Sequence, residues 1–144
     1  TFFLNKAGFF TLDAEYIDYG SMHYNYGPGY ENASREINRV IQNTYTGSFN
    51  IRAGAEFKIH NTALRLGSAY YGSPYKKGNY GAKTCFTAGV GYRQQHWFTD
   101  FAMVYAVLKT QELPYVLLRQ QADVPTAYLR NTALNFCWTL GLRF

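Results

Sequence analysis

The chain has 144 residues, a formal net charge of +5, 16% charged residues and 19% aromatic residues. This length fits one domain at most, and so few charges with so many tyrosines and phenylalanines argue against a disordered tail. The longest apolar run, residues 101–108, is too short for a transmembrane helix.

Six segments alternate between apolar and polar or small residues, the pattern of strands whose successive side chains point to opposite faces. In chain order they are residues 10–16, 49–59, 64–70, 85–93, 97–108 and 134–144. Residues 1–4 are predicted to be the stub of a preceding strand, followed by a short turn at 5–8. Thirteen glycines, four prolines and few Glu or Lys also favour strands. The sequence therefore predicts an all-β, antiparallel fold.

The composition of the polar face distinguishes a membrane barrel from a soluble sandwich. A sandwich exposes a wet face rich in Lys, Glu and Thr, whereas this face mixes both signs of charge with small residues such as Gly54, Gly67 and Gly89. Such a mixture is typical of a confined polar interior, and aromatic residues near the ends of the apolar face are typical of interfacial girdles. We expect tilted strands that cross a bilayer, which takes about 9–11 residues each.

The predicted connections alternate strictly between long and short. Long segments at 20–44, 72–82 and 110–129 alternate with tight turns at 60–62 and 94–95. Outer-membrane barrels place short turns in the periplasm and long loops outside, so we expect the C-terminus at the periplasmic face. Because six strands cannot close around their own interior, residues 1–144 are predicted to be the C-terminal portion of one larger barrel domain. The alternative is one chain of a split or oligomeric barrel.

The segment 20–44 is predicted to be an extracellular loop with a short helix at 34–42, with Ser34 as its N-cap. One interpretation is an amphipathic helix packed on the extracellular rim through Ile37, Val40 and Ile41. The alternative is a docking or ligand-entry surface, because the preceding residues include Tyr24, Tyr26 and Tyr30.

Most of the charged residues within the strands alternate onto the polar face, which is the predicted lumen. They line either a selectivity path for a polar solute or a salt-bridge network that fixes the barrel shape, with Arg52, Glu56 and Arg65 satisfying one another. The predicted lumen-lining residues are Asp13, Glu15, Arg52, Glu56, Arg65, Arg93, Asp100 and Arg143, joined by Asn50, Lys58 and Asn135.

Catalysis, cofactors and nucleic acid are not expected. Two of the three histidines, His60 and His96, lie in or beside the predicted periplasmic turns, where no lumen nucleophile is near. Gly89-Val-Gly91 lies inside a strand rather than at the strand-to-helix turn of a dinucleotide site. Basic residues form no group longer than Lys76-Lys77. Cys85 and Cys137 have no metal-site spacing, and we expect no disulfide between them because a strand separates theirs.

The final segment, with Trp138, Leu140, Leu142 and Phe144 at alternate positions, resembles the terminal signal strand that bacterial barrel-insertion machinery recognises. Four further segments are similar to the last strands of the FadL/TodX family of outer-membrane transporters, in the form found in Bacteroidota. They are Phe-Thr-Leu-Asp-Ala-Glu-Tyr-Ile-Asp-Tyr at 10–19, Asn-Ile-Arg-Ala-Gly-Ala-Glu-Phe at 50–57, Leu-Arg-Leu-Gly-Ser-Ala-Tyr-Tyr-Gly-Ser-Pro-Tyr at 64–75 and Ala-Gly-Val-Gly-Tyr-Arg at 88–93.

This resemblance implies a barrel of about 14 strands with an N-terminal hatch, taking up hydrophobic small molecules such as long-chain fatty acids across the outer membrane. The family's hatch and its ligand-contacting residues have no counterpart in these 144 residues, so no ligand site carries over. The expected partners are outer-membrane lipid, the insertion machinery and a hydrophobic ligand. The alternative is a barrel that has lost transport and is a structural subunit of an outer-membrane complex.

Overall fold

The computed structural model describes residues 1–5, 7–78, 80–112 and 126–143. Within these ranges, seven antiparallel strands form one open sheet whose spatial order follows the chain. The strands are β1 (Phe2–Phe3), β2 (Gly8–Asp18), β3 (Gly47–Ile59), β4 (Thr62–Tyr71), β5 (Lys83–Arg93), β6 (Trp97–Glu112) and β7 (Ala127–Leu142). A 3₁₀ turn (Tyr19–Ser21) and one helix, α1 (Glu31–Thr44), lie between β2 and β3.

The six predicted strands and the N-terminal stub are confirmed, as is the alternation of long and short connections. The connection predicted at 110–129 is wrong at both ends, because Thr110 pairs with Leu129 and Glu112 with Ala127. Backbone pairing carries β6 and β7 three residues each into the predicted connection, beyond the apolar alternation that located them. Residues 113–125, Lys6 of the first turn and Phe144 lie outside the described residues.

The pairing register brings the apolar sides of all six long strands into one face. One row across the sheet consists of Leu12, Ala53, Ser68, Phe86, Tyr105 and Leu134, each directly opposite the next. The adjacent row on the other side consists of Thr11, Gly54, Gly67, Thr87, Val104 and Asn135. Directly opposite residues point the same way. We call these two sides the apolar face and the polar face.

Large apolar side chains are exposed on this sheet, and two carboxylates of the opposite face are sheltered. On the apolar face Leu66 is 62% exposed and Phe136 61%, whereas the side chains of Glu56 and Asp100 on the polar face are 12% and 22% exposed. Among the described residues, Ala63 is the only buried hydrophobic residue. Hydrophobic residues of a water-soluble domain pack into a core, and the described sheet has no such core.

Helix α1 holds the preceding tyrosine-rich segment through two buried polar side chains one turn apart. Asn38 accepts a hydrogen bond from the Tyr24 amide (2.7 Å) and donates to the Tyr24 carbonyl (2.9 Å), and the Ser34 hydroxyl accepts from Tyr26 N (3.1 Å). The prediction of Ser34 as N-cap is wrong, because the helix begins one turn earlier, at Glu31, after Tyr30. No helix of the described ranges is long and apolar enough to cross a membrane.

The two long connections β2–β3 and β4–β5 join each other at one end of the sheet. Tyr45 and Tyr75 form an isolated β-bridge, and Thr46 N donates to the Pro74 carbonyl (2.8 Å). The Tyr45 and Tyr75 rings stack at 5.3 Å, and the Tyr80 ring lies 4.4 Å from that of Tyr75. Burial among these rings raises the pKa of the Tyr75 hydroxyl. We call this end of the sheet, where the long connections lie, the loop end, and the opposite end, with the short turns, the turn end.

Candidate functional site

The sheet places all eight predicted lumen-lining residues on the polar face. Seven are there by register, and Arg143, just past β7, lies with its guanidinium 5.7 Å from the ring of Phe98, which belongs to the same face. The seven on the strands, joined by Asn50 and Lys58, fall into two groups. The loop-end cluster contains Asp13, Glu15, Asn50 and Arg52, and the turn-end cluster contains Glu56, Lys58, Arg65, Arg93 and Asp100.

In the loop-end cluster one arginine binds two carboxylates of the neighbouring strand. Arg52 on β3 lies directly opposite Asp13 on β2, and its two terminal nitrogens donate to Asp13 and to Glu15. Asn50 donates to the same oxygen of Glu15 from 3.0 Å. The Arg52 guanidinium also lies 5.5 Å from the centre of the Tyr71 ring, a cation–π distance. The cluster therefore links β2, β3 and β4.

In the turn-end cluster Arg65 on β4 connects carboxylates from both sides. Its Nε donates to Glu56 Oε2 on β3 at 2.7 Å, and its Nη1 donates to Asp100 Oδ1 on β6 at 2.7 Å. Lys58 Nζ lies 3.5 Å from Glu56, and Arg93 Nη2 lies 3.7 Å from Asp100. This network extends over four adjacent strands.

The predicted pairing of Arg52 with Glu56 is wrong, whereas that of Glu56 with Arg65 is confirmed. Four residues along a strand span about 13 Å, so Arg52 and Glu56 are too far apart, and each binds a partner directly opposite instead. That partner is Asp13 for Arg52 and Arg65 for Glu56. Register, rather than proximity in the sequence, decides which charges meet.

The Arg65–Asp100 ion pair crosses over β5, where the chain has Gly91. A Cβ atom at position 91 would lie 2.3 Å from Asp100 Oδ1 and 3.2 Å from Arg65 Nη1. A side chain there would occupy the space that the ion pair needs. The sequence predicts small residues on the polar face, and at position 91 the small residue leaves room for the ion pair.

An open cavity of about 300 Å³ adjoins the turn-end cluster. Its lining includes Lys58, His60 and Arg93, together with the paired Glu56 and Arg65. The cavity presents a predominantly basic wall at the level of the short turns. Within the described ranges, no group of three or more His, Cys, Asp or Glu is placed to hold a metal ion.

Two aromatic residues of the polar face make cation–π contacts that the sequence did not indicate. Tyr71 lies under both Arg52 and Lys83, and Phe98 lies between Arg93 and Arg143, each guanidinium 5.7 Å from its ring centre. Alternation assigns Phe98 to the face of Asp100, but it gives no signal for the cations that lie against either ring.

The cysteines and histidines lie where the predicted strand order puts them. Cys85 on β5 and Cys137 on β7 are both free thiols on the polar face, and β6 runs between their strands. His60 and His96 belong to the short turns, and His23 lies 3.1 Å from the side-chain amide of Asn38.

The predicted assembly residues lie on the outermost strand of the sheet. Trp138, Leu140 and Leu142 follow one another on the apolar face of β7, which has no partner strand on its far side within the described sheet. The indole Nε1 of Trp138 donates to the Thr99 hydroxyl at 2.8 Å, so the ring stands on the apolar face with its polar atom satisfied.

Comparison with known proteins identifies no relative: no family model, no curated protein and no solved structure matches this chain. The resemblance to the FadL/TodX family therefore stays a prediction, and the function must be argued from the two faces of the sheet.

Proposed function

We propose that the sheet is part of the wall of a β-barrel in the outer membrane of a Gram-negative bacterium. Its apolar face would contact lipid and its polar face would line the lumen. The observation that carries this proposal is the exposed apolar face: phenylalanines and leucines are open to the surroundings, while the paired carboxylates Glu56 and Asp100 are sheltered. Lipid makes such an apolar face favourable, and a barrel gives the charges a confined interior.

The length of the apolar face supports the proposal. On β6 every residue of this face from Trp97 to Val107 is uncharged, and Lys109 follows. Ten residue steps extend about 34 Å along a strand. At a tilt of about 40° they would span about 26 Å across the membrane, close to the apolar band of about 25 Å on outer-membrane barrels.

The open edges require further strands. β1 and β7 are the two ends of the described sheet, and within it β7 presents 16 residues of strand backbone without a neighbour on its outer side. In lipid each unsatisfied backbone group costs several kcal/mol, so a membrane sheet must close. We infer closure by further strands into a barrel of about 14, the number that the family resemblance implies. The short turns and the C-terminus would face the periplasm, and the insertion machinery would recognise β7.

For the activity we propose uptake of hydrophobic small molecules such as long-chain fatty acids. This step is supported by the resemblance of the segments at 10–19, 50–57, 64–75 and 88–93 to the FadL/TodX family. It needs neither a cofactor nor catalysis.

A second candidate is a barrel that acts as a structural subunit of an outer-membrane complex. The pairing on the polar face favours it, since Asp13, Glu15, Glu56 and Asp100 each bind an arginine of another strand. Such charges stabilise the shape of the wall and leave few carboxylates for a solute.

An uptake assay separates the two. The complete protein is produced in Gram-negative cells that assemble outer-membrane barrels but lack their own fatty-acid uptake. Entry of radiolabelled oleate into these cells is then measured. Restored uptake supports the transporter. Absence of uptake, with the protein correctly inserted and recovered with other outer-membrane proteins after mild solubilisation, supports the structural subunit.

A further inference from the structure

Two cations face each other on the apolar face at the loop end of β6 and β7. Lys109 follows Val107, Tyr105 and Met103 on that face, and Arg130 lies directly opposite it on β7. From this row to the turn end, the apolar face of the described strands carries no charged residue.

This arrangement is unfavourable without an anion. Like charges directly opposite each other on neighbouring strands destabilise a sheet, and no carboxylate of the described residues lies within salt-bridge distance of either side chain. The backbone is also held in place: Lys109 N donates to the Ala82 carbonyl (3.1 Å), and Gly81 N donates to the Lys109 carbonyl (2.6 Å). The strand therefore cannot shift by one residue to turn Lys109 away.

The row lies at a defined depth if the sheet spans the membrane as proposed above. Twelve residue steps separate Trp97 from Lys109, about 41 Å along the strand and about 31 Å across the membrane at a tilt of about 40°. The hydrocarbon ends below that level, so Lys109 and Arg130 would reach the layer of lipid headgroups. Tyr128, one row further out and exposed, fits the same layer.

We propose that Lys109 and Arg130 together bind the phosphate group of an anionic lipid in the outer leaflet. The proposal rests on the membrane-spanning function inferred above. The planar guanidinium of Arg130 suits two phosphate oxygens at once, and the Lys109 ammonium adds a point charge. An anion between them converts repulsion into attraction and anchors the barrel at a fixed height.

The test is lipid retention by the complete protein. The protein is reconstituted into nanodiscs of phosphatidylcholine with a minority of phosphatidylglycerol, released into neutral detergent, and its bound lipids are counted by native mass spectrometry. The wild type should retain phosphatidylglycerol preferentially. K109Q/R130Q should lose that preference, by roughly fivefold for each charge removed. The matched control, K76Q/K77Q, removes two adjacent lysines of the 72–82 connection and should retain it.

Three results would overturn the proposal. Equal retention by wild type, K109Q/R130Q and K76Q/K77Q would show that the pair does not select the headgroup. Displacement of phosphatidylglycerol from the wild type by inorganic phosphate would assign the site to free phosphate. Failure of the wild type to float with vesicles after carbonate washing would reject the membrane-spanning function itself, and the lipid site with it.

Discussion

Arg65 on β4 donates to Asp100 on β6 at 2.7 Å, and the bond passes over Gly91 on the strand between them. Two residues from non-adjacent strands thus meet only because the middle strand has no side chain at the crossing. The same arginine also binds Glu56 on β3. One guanidinium thus links three strands, β3, β4 and β6, across β5 on the polar face of the sheet.

Replacing the glycine should break the crossing. Gly91→Ala places a Cβ where Asp100 Oδ1 now lies and should lower the free energy of unfolding by about 1–3 kcal/mol, as overpacking does. Urea unfolding in vesicles would measure the loss. Gly54→Ala is the matched control on the same face. A Cβ atom at position 54 would lie 3.4 Å from its nearest neighbour, Thr11 Cγ2, which is an ordinary van der Waals contact.

A double-mutant cycle identifies the cause of that loss. In an Asp100→Ala background the colliding oxygen is gone, so Gly91→Ala should cost clearly less than in the wild type. If Gly91→Ala costs the same in both backgrounds, the collision with Asp100 is not the reason for the glycine.

The two faces should respond differently to a new charge. Met103→Arg puts a cation on the apolar face between Ala88 and Phe136 and should destabilise the protein by about 2–4 kcal/mol near the middle of the bilayer. Ala102→Arg, one residue earlier, enters the polar face, where space and ion-pair partners set the cost. Similar losses for both variants in a lipid unfolding titration would mean that the faces are misassigned.

Alternation could locate β2 to β7 in the sequence because each strand separates two environments that tolerate different side chains. It could not locate the far ends of β6 and β7, where the backbone of Thr110 to Glu112 pairs with β7 but the side chains show no apolar alternation. The start of α1 was missed for a related reason: Ser34 is a good N-cap residue, but its hydroxyl binds the Tyr26 amide from within the helix.

The candidate site was predictable as a set of residues and not as a set of bonds. The alternation of side chains along each strand assigns Arg65 and Asp100 to one face. Which carboxylate meets which arginine depends on the register between strands. Register follows from turn geometry and from the match of neighbouring strands. The contact between Arg65 and Asp100 also depends on the strand between them, which no local pattern reports.

Cysteine crosslinking should report that register directly. Cys137 lies opposite Ala102, and directly opposite residues have Cα atoms about 4.5–5.5 Å apart, within disulfide range. Ala102→Cys should therefore form a disulfide with Cys137 on mild oxidation, detected as a mobility shift on a non-reducing gel. The wild type, with Cys85 and Cys137 on either side of β6, should form none. A bridge in the wild type, or none in Ala102→Cys, would refute the strand order or the register.

The start of α1 should respond to acid. The amides of Gly29 and of Glu31 itself donate to the Glu31 carboxylate and hold its pKa below its usual range. The contribution of these bonds is complete above the unfolded pKa of about 4.3 and is lost as pH falls through the lower folded value. In an NMR titration the Gly29 amide shift should therefore move with a midpoint below that pH. Glu31→Gln should abolish the movement, and an unchanged titration in that variant would exclude this carboxylate as its source.

The central claim is that the apolar face contacts lipid and the polar face does not. Spin labels placed singly from position 100 to 107 on β6, in the complete protein reconstituted in vesicles, test it through their accessibility to oxygen and to a water-soluble nickel complex. We predict that accessibility alternates from one residue to the next. Oxygen should be favoured over the nickel complex at 101, 103, 105 and 107, with no oxygen preference at 100, 102, 104 and 106. Labels at the odd positions that are accessible to the nickel complex, or shielded from both reagents, would contradict a membrane-spanning sheet.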